Sequence, residues 1–437
     1  MKKNLLNKKI FMFIFLFFTS FLVGSFLDRT GIFSITVKMN DLINNSGLGK
    51  IKNMIRYSLL NEKKNEDKKK LISSNYYDFE LIKIERPSYD KYGGIDFLNK
   101  NLLYVDKKGV IWIKKNESFS KISDELIPNN SDFFEKEFGK SSLLWFGVKD
   151  ILVIDKSSES YLFASSNNYN FKKNCHYFSL YLKKLKNNMS SQTKWESVFD
   201  TNCLPEHKVG RSTFMSILMS SGGRISKLNN EEVLLSVGDY YFDGVNDVNM
   251  VNKSNSLYGK IIKINFINKK FKVYADGLRN IQGLVVTQNG IYSTEHGPQG
   301  GDELNSVEFN KNYGWPNASF GVNYGTKYWP LDKTNKNHSI KSYTKPVMSW
   351  IPSIAPSQLV EVKSDNELKR WDKDLLVSSL KAKALFRIKM RDTKNLMLIE
   401  KIKLDFRIRD IIQNDGTFYL LEDGAPIIWK LKKEPVN

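Results

Sequence analysis

From about Tyr76 onward the chain is written in short β-type runs separated by Gly, Asn and Asp turns, and no long amphipathic helix interrupts them. Similar units recur. They are GGIDFLNKNLLYVDKKGVIWIKK near Gly93, KDILVIDKSSESYLFAS from Lys149, GGRISKLNNEEVLLSVGD from Gly222, GLVVTQNGIYSTEHG from Gly283, DLLVSSLKAKALFRIKM from Asp374 and RDIIQNDGTFYLLEDGAPIIWKLKK from Arg409. Each reads as a hairpin plus a third strand. Spaced at roughly 60 residues per unit, they predict an all-β chain folded as a six-bladed β-propeller, with room for loop insertions between strands. With 41% hydrophobic and 13% aromatic residues the chain can bury a large core, which excludes a disordered protein.

The N-terminus sets the compartment. Lys2, Lys3, Lys8 and Lys9 precede an apolar run from Ile10 to Leu27, which Asp28 and Arg29 end. Positive charge ahead of such a run leaves the N-terminus inside and exports the rest of the chain to the periplasmic or cell-surface side. Residues 1–28 therefore read as a signal peptide or membrane anchor. Val23-Gly24-Ser25 offers a cleavage site, while the length and Phe-richness of the run favour an anchor. Residues 29–75 read as a stalk, ending in the charge run NEKKNEDKKK, and residues 76–437 as the propeller.

Two cysteines, Cys175 and Cys203, fall in the exported part, where a disulfide is the default and two free thiols the alternative. Without a matching histidine pair they do not read as a zinc site. The balance of 67 Lys+Arg against 47 Asp+Glu gives +20. The lysines are scattered through the strands, with no basic stripe and no nucleic-acid module, so no nucleic-acid partner is expected.

The unusual backbone chemistry gathers between Gly277 and Pro316, GLRNIQGLVVTQNGIYSTEHGPQGGDELNSVEFNKNYGWP. A strand ends there in a polar, glycine-rich loop, where carbonyls and amides can approach a ligand closely. The string GLRN-x-x-GL, then TEHGP-x-GGDELN, then NYGWP, closely resembles the PQQ-dependent soluble aldose (glucose/sorbosone) dehydrogenases, which are six-bladed propellers. The resemblance is strong from about Gly222 to Trp429, weak from Tyr76 to Arg211 and absent before that.

The resemblance implies a site for PQQ, a tricarboxylate quinone, and for Ca²⁺. Arg279 and Asn280 match the family's Arg-Asn pair. Lys381, in LLVSSLKAKALFRI, falls on the family's cofactor-contacting lysine, and Arg407 and Arg409, in DFRIRD, match its paired arginines. Strand alternation puts Arg407 and Arg409 on one face, within reach of one anion. Trp350 opens the segment WIPSIAPS, which matches a family segment lining the site. Ca²⁺ would take the carbonyl oxygens of Gly297 and Pro298, with Asp302 and Glu303 organising the loop.

The family's general base is a histidine in the frame H-x-G-G-R-L, held by an aspartate that ends the next strand. Here the frame reads Ser220-Ser221-Gly222-Gly223-Arg224-Ile225, followed by Val237-Gly238-Asp239, so Ser220 stands at the histidine position. A serine hydroxyl is not basic near neutral pH. Asp239, His296 and His207 are the candidate substitutes, and the family's active-site glutamine is not recognisable around Leu143 to Val148. His176 and His338 read as ordinary strand and loop residues. Three functions stay open: oxidation of an aldose or related alcohol by hydride transfer to PQQ with Ca²⁺ assistance, passing electrons to an unidentified acceptor; a catalytically silent PQQ- or anion-binding propeller; and a membrane-tethered interaction propeller.

Overall fold

The computed structural model describes residues 69–434 apart from 89–91, 123–124, 140–144, 157–158, 187–192, 205–215, 245–247, 323–341 and 365–366. The expected anchor, the stalk up to residue 68, His207 and His338 lie outside the described residues. Among the described residues no helix is long and apolar enough to cross a membrane.

Six antiparallel sheets form six blades. Their innermost strands are Gly94–Leu98, Val148–Asp155, Gly222–Lys227, Asn280–Val286, Pro356–Glu361 and Ile408–Asn414, and blades 1 to 6 are numbered in that order. Turn chemistry sets the hairpins. In blade 1, Asn99 and Lys100 both take positive φ (48° and 66°) between paired Leu98 and Asn101, the geometry of a two-residue hairpin. In blade 6, Asp415 and Gly416 do the same (44° and 69°) between Asn414 and Thr417. The repeat units seen in the sequence each fall within one blade. The fifth begins one strand late, because the inner strand of blade 5, PSQLVE, precedes it.

Each inner strand packs against the next, and the sixth returns to the first, so the ring is closed. Apolar side chains fill the gaps between blades: Phe163, Phe178, Leu235 and Ile262 lie in one cluster between blades 2 and 3. Buried polar groups also link each blade to its neighbour. Asp96 accepts from Val153 N at 2.6 Å, Asp150 from Ile225 N at 2.9 Å and Ser226 Oγ from Val286 N at 3.2 Å. Thr294 Oγ1 then donates to Ser357 O at 2.7 Å, Ser357 Oγ to Ile408 O at 2.6 Å, and Asp410 accepts from Ile95 N at 3.1 Å. These links leave the backbone groups between blades satisfied where no sheet ladder reaches.

Blade 6 is completed from the other end of the chain. Ile427–Lys433 pairs with Asp78–Glu85, which in turn pairs with Lys69–Ser73. The sheet therefore takes in residues assigned to the stalk in the sequence, because Ile72 buries its side chain in the same core as Phe79 and Leu81.

Candidate functional site

Antiparallel pairing brings the first residues of each inner strand beside the last residues of the second strand. Gly94 faces Val105, Gly222 faces Val237, Asn280 faces His296, Pro356 faces Ser379 and Ile408 faces Glu422. The segments holding Tyr92, Lys149, Ser220, Asp239, Arg279, His296, Lys381 and Arg409 thus come to one face of the propeller, although they are spread across the whole sequence.

The loop after His296 is held from two sides. Arg279 is buried, and its Nη1 donates to the carbonyl oxygens of His296 and Gly297, each at 3.0 Å. Its guanidinium also lies over Trp315 and Tyr241, 5.2 and 5.4 Å from the ring centroids. Asp302 accepts from Gly297 N at 3.1 Å, Ser353 Oγ at 3.0 Å, Ile354 N at 2.8 Å and Ala355 N at 2.7 Å. One carboxylate thereby ties the Gly297-Pro298 turn to the segment after Trp350. His296 donates from Nε2 to Pro356 O at 2.7 Å, which leaves the lone pair on Nδ1, and burial holds its pKa below the usual histidine range. Behind Arg279, Glu295 accepts the Arg279 amide at 2.5 Å and is pushed up to about 7 by burial.

Ser220 is fully buried and donates its hydroxyl to Asp239 Oδ1. Asp239 also accepts from Tyr241 N at 3.0 Å and, on Oδ2, from Trp315 Nε1 at 2.8 Å. Burial pushes this carboxyl up to about 6, against the pull of Arg279. Asn280 fixes the approach: its Nδ2 donates to Met219 O at 3.1 Å and its Oδ1 accepts from Gly222 N at 3.2 Å. The frame predicted around Ser220 is thus assembled, with the serine turned toward its aspartate.

A pocket opens beside it, and its lining includes Tyr92, Lys149, Met219, Ser221, Arg224, Gln282 and Arg409. Arg409 is buried and Arg407 exposed, yet both reach one carboxylate: Arg407 Nε is 3.0 Å from Asp423, and Arg409 donates to Asp423 at 2.9 and 3.1 Å. Burial would raise Asp423, but the two guanidinium groups outweigh it and hold the carboxyl below its ordinary value. Arg407 Nη1 also reaches Leu380 O at 3.5 Å, beside Lys381. Lys381 itself is exposed and has no carboxylate partner among the described residues.

Trp350 is placed differently from its expected contact with the cofactor. It is 7% exposed, and its ring lies in the core, edge-on to Phe386 at 6.0 Å. What its segment brings to the site is the Ile354-Ala355 backbone held by Asp302. Of the polar groups lining the pocket, Tyr92, Lys149 and Gln282 were not found from the sequence, and neither was Asp423, the partner of Arg407 and Arg409. Gln282 carried a signal, since Asn280 and Gln282 alternate on one face of an otherwise apolar strand, and Lys149 is a lone cation in the run VKDILVID. Asp423 sits in a turn and Tyr92 just ahead of the inner strand of blade 1, neither with such a pattern. Among the described residues no group of His, Cys, Asp and Glu is arranged to hold a metal ion.

The sequence profile of the family described as Glucose / Sorbosone dehydrogenase matches residues 145–429. An uncharacterized protein of Synechocystis is 30% identical over 253 residues, covering 53% of this chain and 58% of that protein. An aldose sugar dehydrogenase of Escherichia coli is 32% identical over 161 residues (35% and 42%), and a quinoprotein glucose dehydrogenase B of Acinetobacter calcoaceticus 30% over 210 residues (36% and 44%). The chain spans about half the length of the curated relatives it matches. Among solved structures, the soluble aldose sugar dehydrogenase of Escherichia coli in its apo-form superposes with a TM-score of 0.64 at 21% identity, covering 82% of this chain and all of that one. A glucose dehydrogenase crystal structure gives 0.63 at 20% identity, covering 82% and 99%. At these identities the superpositions establish the fold.

Proposed function

The chain belongs to the glucose/sorbosone dehydrogenase family, and from that premise we propose that it is a PQQ-dependent sugar dehydrogenase, oxidising an aldose or related alcohol with Ca²⁺ assistance. The observation that carries the reading is the charge gathered beside Arg409 of the pocket wall. Arg407 and Arg409 share a single carboxylate, Asp423, and Lys381 follows the Leu380 carbonyl that Arg407 reaches, so two of these three positive charges are left over for an anionic ligand. A flat tricarboxylate suits that surplus, and planar guanidinium groups bind carboxylates in pairs of hydrogen bonds.

When bound, PQQ supplies a quinone that accepts hydride from the sugar's reducing carbon. The chain's own residues would hold and orient it. Arg407 and Lys381, both exposed, would meet its carboxylates, and Arg409 is fixed at the pocket wall by Asp423 and Gln282. Ca²⁺ would take carbonyl oxygens, the donor set this loop offers in the absence of a carboxylate cluster among the described residues. One lone pair of the Gly297 oxygen is engaged by Arg279 and the second is left for the ion. The proposal extends to an exported protein held by residues 1–28 and passing electrons to an unidentified acceptor. The Cys175–Cys203 disulfide, with Cα atoms 5.6 Å apart, suits an oxidising compartment.

The test is a spectral titration of PQQ, with and without Ca²⁺, into the full-length chain, followed by a panel of aldoses and a redox dye. Ca²⁺-dependent binding and reduction of the cofactor by one of the sugars is the expected result. Binding without reduction would leave a ligand-holding propeller disabled at Ser220, and no binding would overturn the reading.

A further inference from the structure

The pocket has a side chain that the proposed reaction has not yet used. Lys149, on the inner strand of blade 2, is buried and lines the pocket together with Ser221, Gln282 and Arg409. Its stem lies on Gly223, three residues past Ser220, where an added Cβ would come within 2.5 Å of Lys149 Cβ. Its Nζ donates to Trp145 O and stands 4.0 Å from the centroid of the Tyr92 ring. It has no carboxylate partner among the described residues. Asp150, next to it in sequence, points its oxygens at Arg224 and Ile225 N instead. Among the described residues the charges that act on it are two cations, Arg409 from blade 6 and Lys107 from the second turn of blade 1, while Arg224, also lining the pocket, is neutralised by Asp150 and Asp410. The Tyr92 ring and the Trp145 carbonyl favour the ammonium form. Burial, Arg409 and Lys107 oppose it and prevail, holding Lys149 well below the ordinary lysine range.

We propose that the Lys149 amine is the general base of this pocket, taking from the sugar hydroxyl the proton that Ser220 cannot take. The proposal rests on the dehydrogenase reading above. In the step, the hydroxyl O–H bond breaks and its proton joins the Nζ lone pair. The C–O bond becomes C=O as the hydride on the same carbon leaves for the quinone oxidant. Ser220 is spent on Asp239 and is not among the residues lining the pocket, so the base function has moved from blade 3 to the neighbouring inner strand.

Two measurements on the full-length chain test this. The first needs no cofactor: competitive acetylation with acetic anhydride across a pH series, with Lys149 read by peptide mass spectrometry. The expected midpoint lies well below the ~10.4 of an ordinary lysine. A midpoint at the ordinary value, or no modification while other lysines react, overturns the proposal, because a base must be both neutral and reachable. The second compares wild type with K149M and K149R, after circular dichroism has shown that each is folded. The expected result is a kcat lowered by about 10²-fold or more, PQQ affinity within about threefold of wild type, and loss of the acid limb of the pH profile. If wild type oxidises a sugar and K149M does so within threefold of it, Lys149 is not the base and the dehydrogenase reading stands. If wild type itself oxidises no sugar, the dehydrogenase reading falls and the proposal with it.

Discussion

Asp239 accepts three hydrogen bonds, from Ser220 Oγ, Tyr241 N and Trp315 Nε1, while fully buried. Losing one donor should be tolerated, so S220A is expected to cost about 1 kcal/mol in urea unfolding. D239N turns an amide N–H₂ against Tyr241 N or Trp315 Nε1, which only donate, and should cost about 1–3 kcal/mol. The pH dependence separates charge from shape. The folded pKa of Asp239, about 6, lies above the ~3.9 of an unfolded aspartate. The folded state therefore binds this proton more tightly, and the resulting stability is fully present below about pH 4 and lost as pH rises through about 6. The wild-type midpoint should fall across that window relative to D239N, and parallel slopes would contradict the assignment. Ser220 and Asp239 were legible because both sit in a short local frame. Trp315 was visible in NYGWP, but its bond to Asp239 spans 76 residues, and nothing local in the sequence encodes such a contact.

The inner strands act as one element, and Arg224 is their common fastening. From blade 3 it reaches Asp150 of blade 2 at 2.9 Å, Asp410 of blade 6 at 3.2 Å, the Arg409 carbonyl at 2.5 Å and the Gln282 carbonyl of blade 4 at 2.8 Å. Replacing it with Met leaves two buried carboxylates without their cation, and breaking a buried pair in this way costs about 3–5 kcal/mol. R224M should lower the unfolding midpoint accordingly and loosen Arg409, so PQQ binding should weaken in the same variant. Unchanged stability would mean that Asp150 and Asp410 are held protonated. The blades themselves were legible, because turn residues and alternating apolar runs are local signals, and only blade 5 was entered a strand late. The side chains on the inner strands were half legible. Those inside family motifs, such as Arg279 and Arg409, were singled out, while Lys149 stands in a stretch of weak resemblance where a buried cation reads like any lysine. Asp423 went unseen because its role comes from Arg407 and Arg409, which the fold brings to it from the preceding inner strand.

At the scale of the whole molecule, the ring has a seam. Blade 6 draws its inner three strands from the C-terminus and its outer two from Lys69–Ser73 and Asp78–Glu85. Closing a ring with strands from both chain ends leaves no blade free to peel away from the circle, and it covers the edge that Ile427–Lys433 would otherwise expose. The seam also carries core: Phe79 and Leu81 are fully buried against Trp371, Phe418 and Leu431, worth together about 3–6 kcal/mol of burial. Two truncations then have opposite outcomes. A chain beginning at Lys68 keeps both outer strands and should unfold within about 2 °C of the full chain, a change under ~1 kcal/mol. A chain beginning at Arg86 loses them, and should unfold at least several degrees lower and self-associate through the bare edge, as read by thermal unfolding and light scattering. Equal transitions for the two would mean that the ring is held closed by its inner strands alone, with Arg224 and the blade-to-blade hydrogen bonds sufficient and the outer pair dispensable.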